Sequence, residues 1–226
     1  MERIVLSPRL EAIAQMVGTC RLLADVGTDH AFLPAALLQR GWCGSAFACD
    51  VNEGPLLRAK RTVECAGCAD RVRLILSDGL TNVPAEYDVL VIAGMGGDLI
   101  SSILSAFPPD PSVRLFFQPM TKPAVLREFL AQNGYTLLRE QGVREGTKAY
   151  GIMEARRIPD PCPGDPELPR NLQPGSGAVA YLDKLLAAHR RRLSGLAAAS
   201  VPDGIAMERE RQLIAQLTCL REEKRK

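Results

Sequence analysis

The chain has 226 residues, 46% of them apolar, and a formal net charge of +2. That length accommodates one α/β domain with a small appendage. No apolar run approaches the roughly eighteen residues of a membrane span, and Met1 to Val5 lacks the long apolar stretch of a signal peptide.

The seven cysteines follow no disulfide framework, which suits a reducing cytoplasm, the expected location. Cys65 and Cys68 form a single C-x-x-C pair with no second pair at zinc spacing, so no metal is expected. Charge is uneven. Residues 1–155 hold 15 Lys and Arg against 17 Asp and Glu, whereas residues 156–226 hold 13 against 9. A basic tail can steer a polyanion by long-range attraction; it can also be a plain solvated helical face.

In chain order, Ser7-Pro8 can cap and start a helix that Gly18 ends. Residues 22–26 read as a buried strand, Gly27 opens a tight turn, and a helix begins near Pro34 and stops at Gly41. A second strand over 45–50 ends in Asp50, and residues 54–66 are helical. A third strand, 72–76, runs to Asp78-Gly79. A fourth, 89–93, runs into a loop, Gly94-Met95-Gly96-Gly97, that leads into a helix carrying Leu99, Ile100, Ile103 and Leu104. A fifth strand, 113–117, ends at Gln118-Pro119, and Thr121 can cap a helix to Gln132. Residues 135–142 and 149–155 look like a closing antiparallel pair.

Alternating β and α elements with nearly continuous apolar strands predict a parallel sheet covered on both faces. Ligands in such folds sit beyond the carboxyl ends of the strands. The polar and glycine residues gather there: 25–30, Asp50, Asp78-Gly79, Gly94 to Gly97 and Gln118.

Residues 158–177 contain six prolines and three glycines and read as a linker. Beyond it, Val179, Leu182, Leu186, His189, Leu193 and Leu196 step by three and four, a heptad seam in which His189 is a tolerated polar member. Pro202-Asp203-Gly204 turns the chain, and Met207, Leu213, Leu217 and Leu220 return as a second helix. The expected division is 1–157 as the ligand-binding domain, 158–178 as linker and 179–226 as helical hairpin.

The first loop has one glycine where a dinucleotide loop would have three, and Asp25 and Asp29 flank its turn. A pyrophosphate would be repelled there, which argues against a nicotinamide oxidoreductase. S-adenosylmethionine (SAM), with ribose hydroxyls, an ammonium, a sulfonium and no phosphate, suits it. A carboxylate at Asp50 can accept both ribose hydroxyls. Asp78 can meet an adenine amino group while Gly79 leaves room. Three glycines around Met95 let backbone approach a ligand closely. His30, the sheet domain's only histidine, can bond a substrate or hold the loop.

Asp25-Val26-Gly27-Thr28-Asp29-His30-Ala31-Phe32-Leu33-Pro34, Asp50-Val51-Asn52, Asp78-Gly79-Leu80 and Ile92-Ala93-Gly94-Met95-Gly96-Gly97 together resemble the TrmK family. These are bacterial tRNA (adenine-N1)-methyltransferases acting on adenine-22 of the D-arm. The resemblance covers about residues 6–155; the proline-rich linker is the least family-like part. It implies a Rossmann-like class I methyltransferase, a seven-stranded sheet with the last strand antiparallel, plus a coiled-coil-like helical hairpin that helps hold tRNA. It places Asp25, Gly27, Thr28 and Asp29 along the methionine part of SAM, Asp50 and Asn52 at the ribose, and Asp78 and Gly79 at the adenine. Ala93 and Gly94 join the cofactor contacts, and Gly94 and Met95 occupy the position that holds the target base. Asp29, His30 and Met95 are the candidates closest to the chemistry. The expected partner is tRNA, with no membrane or metal, acting as a monomer. Two other readings stay open: a SAM-dependent methyltransferase for a small molecule or protein, and a non-catalytic SAM- or tRNA-binding module.

Overall fold

The computed structural model describes residues 2–158 and 164–225. The elements run α1 (Pro8–Val17), β1 (Cys20–Val26), α2 (Phe32–Gln39), β2 (Cys43–Asp50), α3 (Glu53–Cys65), β3 (Val72–Leu76), β4 (Val89–Gly96), α4 (Gly97–Ala106), β5 (Arg114–Thr121), α5 (Pro123–Gln132), β6 (Thr136–Glu145), β7 (Lys148–Arg156), α6 (Ser176–Ala197) and α7 (Gly204–Arg225).

One seven-stranded sheet has the order β3-β2-β1-β4-β5-β7-β6. The first five strands are parallel, and β7 is antiparallel to both β5 and β6. Side chains alternate across the pleat and so divide the core in two. Leu23, Val89, Val91 and Phe116 join one cluster with α1, α2 and α3. Leu22, Ala24, Leu90, Ile92 and Phe117 join the other with α4 and α5. A strand buried on both faces needs apolar residues at every position, which is why these runs do not alternate in sequence. Arg114 donates to the carbonyls of Met16 and Val17 and so satisfies the end of α1.

Several boundaries differ from expectation. The fifth strand, read as ending at Gln118-Pro119, runs on through Thr121, so Lys122 and not Thr121 precedes α5, and the hairpin read as starting at 179 starts at Ser176. The helix read as starting near Pro34 starts at Phe32, preceded by Ala31 in the left-handed region at φ 55°. Pro34 still falls in the first turn, where its missing N–H is not needed. Gly94 to Gly96, read as a loop, belong to β4 and pair with β5 through two register shifts. Backbone pairing to β5 outweighs the low strand preference of glycine.

The proline-rich stretch is more than a spacer where it is described; residues 159–163 of it lie outside the described residues. Residues 171–173 lie along β6, with Gln173 N–H donating to Glu140 O and a bridge from Glu140 to Leu172. They cover the sheet's outer edge, which would otherwise expose unpaired backbone groups. Beneath them, Arg127 makes a two-pronged ion pair with Glu140 at 2.9 and 2.7 Å and donates to the Tyr181 hydroxyl at 2.8 Å. Both charged side chains are almost fully buried. Arg127 also reaches Pro166 O, and Glu140 accepts from Arg170 N–H. One network thus fastens α5, β6, the 164–175 segment and α6. Glycines allow the same docking: a Cβ at Gly177 or Gly142 would collide with the other's backbone.

Within the hairpin, Leu182, Leu186 and Leu217 form the seam. Asp203 caps α7 through the N–H groups of Ile205 and Ala206. His189, 1% exposed, is bonded through Nδ1 to Glu210 Oε2 at 2.8 Å, and Glu167 lies 3.8 Å from Nε2. It is a polar joint between the two helices and the 164–175 segment, a stronger role than a tolerated seam residue.

Replacing Arg127 with Met should cost about 3–5 kcal/mol in denaturant unfolding, because the Glu140 charge is left buried and unpaired. The double variant Arg127→Met/Glu140→Gln should recover a substantial part of that loss.

Candidate active site

The strand order reverses between β1 and β4, and a crevice opens beyond their carboxyl ends. A cleft of about 460 Å³ lies there. It is lined by Asp25, Gly27, Thr28, Asp29 and His30 from the first loop and by Ala93 and Gly94 from β4. The start of α1, the first turn of α2, Met120 and Glu145 complete the wall.

The first loop is bent by three left-handed residues, Gly27, Asp29 and Ala31. Gly27 takes this conformation without penalty; Asp29 and Ala31 do not. Such strain persists only where surrounding bonds over-determine it. Gly27 and Thr28 N–H both donate to Cys49 O, and Asp29 N–H donates to Asp50 Oδ2 at 3.3 Å. Asp50 Oδ1 accepts from Asn52 N–H at 3.1 Å. The Asp50 carboxylate is therefore aimed by backbone bonds and keeps free lone pairs.

Asp25 is buried at the end of β1. It accepts a 2.6 Å bond from Thr28 Oγ1 and has no ion pair among the described residues. Burial pushes its carboxyl up to about 6; the Thr28 bond opposes this and the nearby Asp50 charge adds to it.

The remaining candidates separate in space. Asp29 is exposed and its Oδ1 takes a 2.8 Å ion pair from Arg58, with His30 Nε2 3.7 Å from Oδ2. Its charge is largely answered by Arg58, so it is a weaker counter-charge than its place in the loop implies. The His30 ring stacks parallel to Phe32, with centroids 5.1 Å apart. Met95 is not among the residues lining the cleft; its side chain packs behind Gly27, where a Cβ would collide with Cε. Asp78 and Gly79 sit on the neighbouring loop after β3, outside the cleft lining, and Asn52 precedes α3.

The glycines of 94–97 divide their work. Gly94, at φ 81°, faces the cleft. Gly97 instead lets α4 meet the backbone of Lys122, where a side chain would collide with the carbonyl. Close packing accounts for part of the glycine richness that reads, in sequence, as ligand approach.

Sequence reasoning passed over Arg9 and Glu145, gave Phe32 no role of its own, and noted Gln118 only as a strand end. Gln118 is fully buried, and its Oε1 accepts from Arg9 Nη1 at 2.7 Å and Gly94 N–H at 3.2 Å. Two donors on one oxygen fix the amide orientation, leaving Nε2 with no partner among the described residues. Glu145 at the end of β6 accepts from Ser7 Oγ and Arg9 N–H, each at 3.1 Å. Nothing in the spacing of residues 7, 9, 118 and 145 announces this meeting. The described residues contain no group of three or more His, Cys, Asp or Glu placed to hold a metal, and no helix long and apolar enough to cross a membrane.

A family model described as a methyltransferase domain matches residues 6–153. The tRNA (adenine(22)-N(1))-methyltransferase of Bacillus subtilis is 35% identical over 158 residues, 69% of this chain and 66% of that protein. The structure of M. capricolum TrmK, solved with S-adenosyl-homocysteine, superposes with a TM-score of 0.77 at 24% identity, covering 96% of this chain and 98% of that one. A Streptococcus pneumoniae structure in complex with S-adenosyl-L-methionine gives 0.72 at 27% identity, covering 96% and 100%. The chain belongs to the methyltransferase-domain family and, within it, to the TrmK family that its motifs resemble.

Proposed function

We propose that this chain is a SAM-dependent methyltransferase that methylates N1 of an adenine in tRNA, adenine-22 of the D-arm. The observation that carries the reading is the buried Asp25 carboxylate, unpaired by any cation among the described residues and facing the cleft at the sheet's switch point. Its B. subtilis relative carries that activity in its name.

The site fits SAM on its own chemistry. A carboxylate buried without a counter-charge suits an ammonium. Asp50, aimed by two backbone N–H groups, suits vicinal ribose hydroxyls. Gly94 lets backbone come close to a ligand. The first loop, with its single glycine, forms no phosphate cradle. Asp25, Gly27 and Thr28 would hold the methionine end, Asp50 and Asn52 the ribose, and Asp78 with Gly79 the adenine. When bound, SAM supplies an electrophilic methyl group on a sulfonium.

Neutral adenine N1 carries its own lone pair, so the chain need not supply a strong base. Its task is alignment and exclusion of water. Exposed backbone around Gly94 can orient the adenine amino group, and the stacked His30–Phe32 pair supplies an aromatic wall at the cleft mouth. N1-methyladenine is cationic. The acids that line the cleft favour charge forming there. Drawing a base out of folded tRNA costs about a few kcal/mol, which binding elsewhere on the tRNA must offset.

Incubation with labelled SAM and unmodified tRNA should yield N1-methyladenosine on nucleoside analysis; label in protein or small molecules alone would overturn the reading. Asp50→Ala should weaken SAM binding at least tenfold in calorimetry while the fold is kept.

Asp25 links activity to stability. Its carboxyl sits near 3.8 when unfolded and about 6 when folded. Between these values the unfolded chain has lost the proton and the folded chain keeps it. Stability therefore falls as pH rises through this window, and the cost is complete above about pH 6. Asp25→Asn should be more stable than the parent by on the order of 1–3 kcal/mol at pH 7.5, with the gap closing toward pH 4, and should bind SAM poorly.

A further inference from the structure

We infer that the RNA strand leaves the cleft along a cationic track between the β6–β7 turn, the start of α5 and the inner face of α6, a track that no residue of α7 lines. This rests on the tRNA reading proposed for the cleft.

Met120, at the end of β5, lines three clefts at once. The first is the candidate active site. The second, about 630 Å³, runs between the β6–β7 turn and α6 and includes Arg144, Lys148, Tyr150 and Lys184. The third, about 680 Å³, runs between the start of α5 and α6 and includes Lys184 and Arg191. They form a continuous path outward from Gly94. Tyr150 joins them: Arg9 of the active cleft lies 5.8 Å from its ring centroid and Lys184 5.3 Å.

Charge indicates the occupant. Lys122, Arg127 and Arg192 on this path are paired with Asp98, Glu140 and Glu167. Arg144, Lys148, Lys184 and Arg191 make no ion pair among the described residues. Arg144 and Lys184 donate only to the carbonyls of Gly146 and Ala149. Desolvation against this wall pulls the Lys184 ammonium down from its ordinary value. The lining acid Asp183 is taken up by Arg221. The track thus keeps four uncompensated cations over a floor that includes Met120, Val125 and Leu185. Spaced cations above an apolar floor match a strand of phosphates with unstacked bases beneath. An acidic protein segment would use the cations and leave the floor idle.

Deleting the hairpin would strip Tyr181 from the buried Arg127–Glu140 pair, so point changes are the cleaner test. The triple variant Lys148→Ser/Lys184→Gln/Arg191→Ser is compared with Arg190→Ser/Arg211→Ser, which removes charge from the hairpin outside the track. Binding of unmodified tRNA is measured as a function of salt, together with methyl transfer, SAM affinity and Tm. The track set should raise the tRNA KM at least tenfold and lower the slope of log K against log salt by about 0.7–0.9 for each phosphate left unneutralised. SAM affinity should stay unchanged, and the Arg190/Arg211 set should behave as the parent. If the triple variant unfolds, Lys148→Ser/Arg191→Ser, whose side chains make no hydrogen bond or ion pair among the described residues, carries the same comparison. Equal losses from both sets would mean diffuse attraction and would overturn the track, as would no loss from either. A parent chain that methylates tRNA while the track variants keep its salt slope overturns the track alone. A parent that neither binds nor methylates tRNA overturns the activity as well.

Discussion

The reversal of strand order between β1 and β4 is the constraint on which the site depends. β1 is flanked by β2 on one side and β4 on the other, all parallel, and the crossover helices depart to opposite faces. Backbone beyond these strand ends cannot be covered by either layer, so a crevice is unavoidable there. The first loop fills its floor with a bend no regular structure would hold. Of its left-handed residues, Gly27 and Asp29 are tied by bonds to Cys49 and Asp50 of the neighbouring strand, and Ala31 N–H donates to Thr28 O within the loop.

Within that crevice the chain holds a charge it does not neutralise. Asp25 is buried, accepts one hydroxyl bond and feels the Asp50 charge nearby. A folded protein optimised for stability alone would place an uncharged residue there. Arg58 could not serve as counter-ion, because it is already committed to Asp29 on the rim. The arrangement keeps the inner acid available to a cationic ligand and partly quiets the outer one.

The second organising contact is the Arg127–Glu140–Tyr181 network, whose partners come from three elements, α5, β6 and α6. It seals the open edge of the sheet beneath the 164–175 segment and seats α6 against β6. By doing so it sets the width of the grooves that run from Met120 along α6. The hairpin is therefore part of the same surface as the cleft, and the uncompensated cations of α6 and the β6–β7 turn face it.

Much of the fold was legible in the sequence because its signals are local. Continuous apolar runs broken by glycine and acids marked the parallel strands, and three-four spacing marked the hairpin. The clustering of Asp25, Gly27, Thr28, Ala93 and Gly94 at strand ends was legible too, since strand direction alone places them together. Tertiary structure decided the rest. It turned Asp29 toward Arg58, put Met95 behind Gly27, assigned Gly97 to helix packing, and brought Arg9, Gln118 and Glu145 into one corner. Arg9 precedes the other two by 109 and 136 positions, and their meeting depends on where α1 and the β6–β7 turn come to rest. That position is set by long-range burial and hydrogen bonding, for which no short stretch of sequence carries a signal.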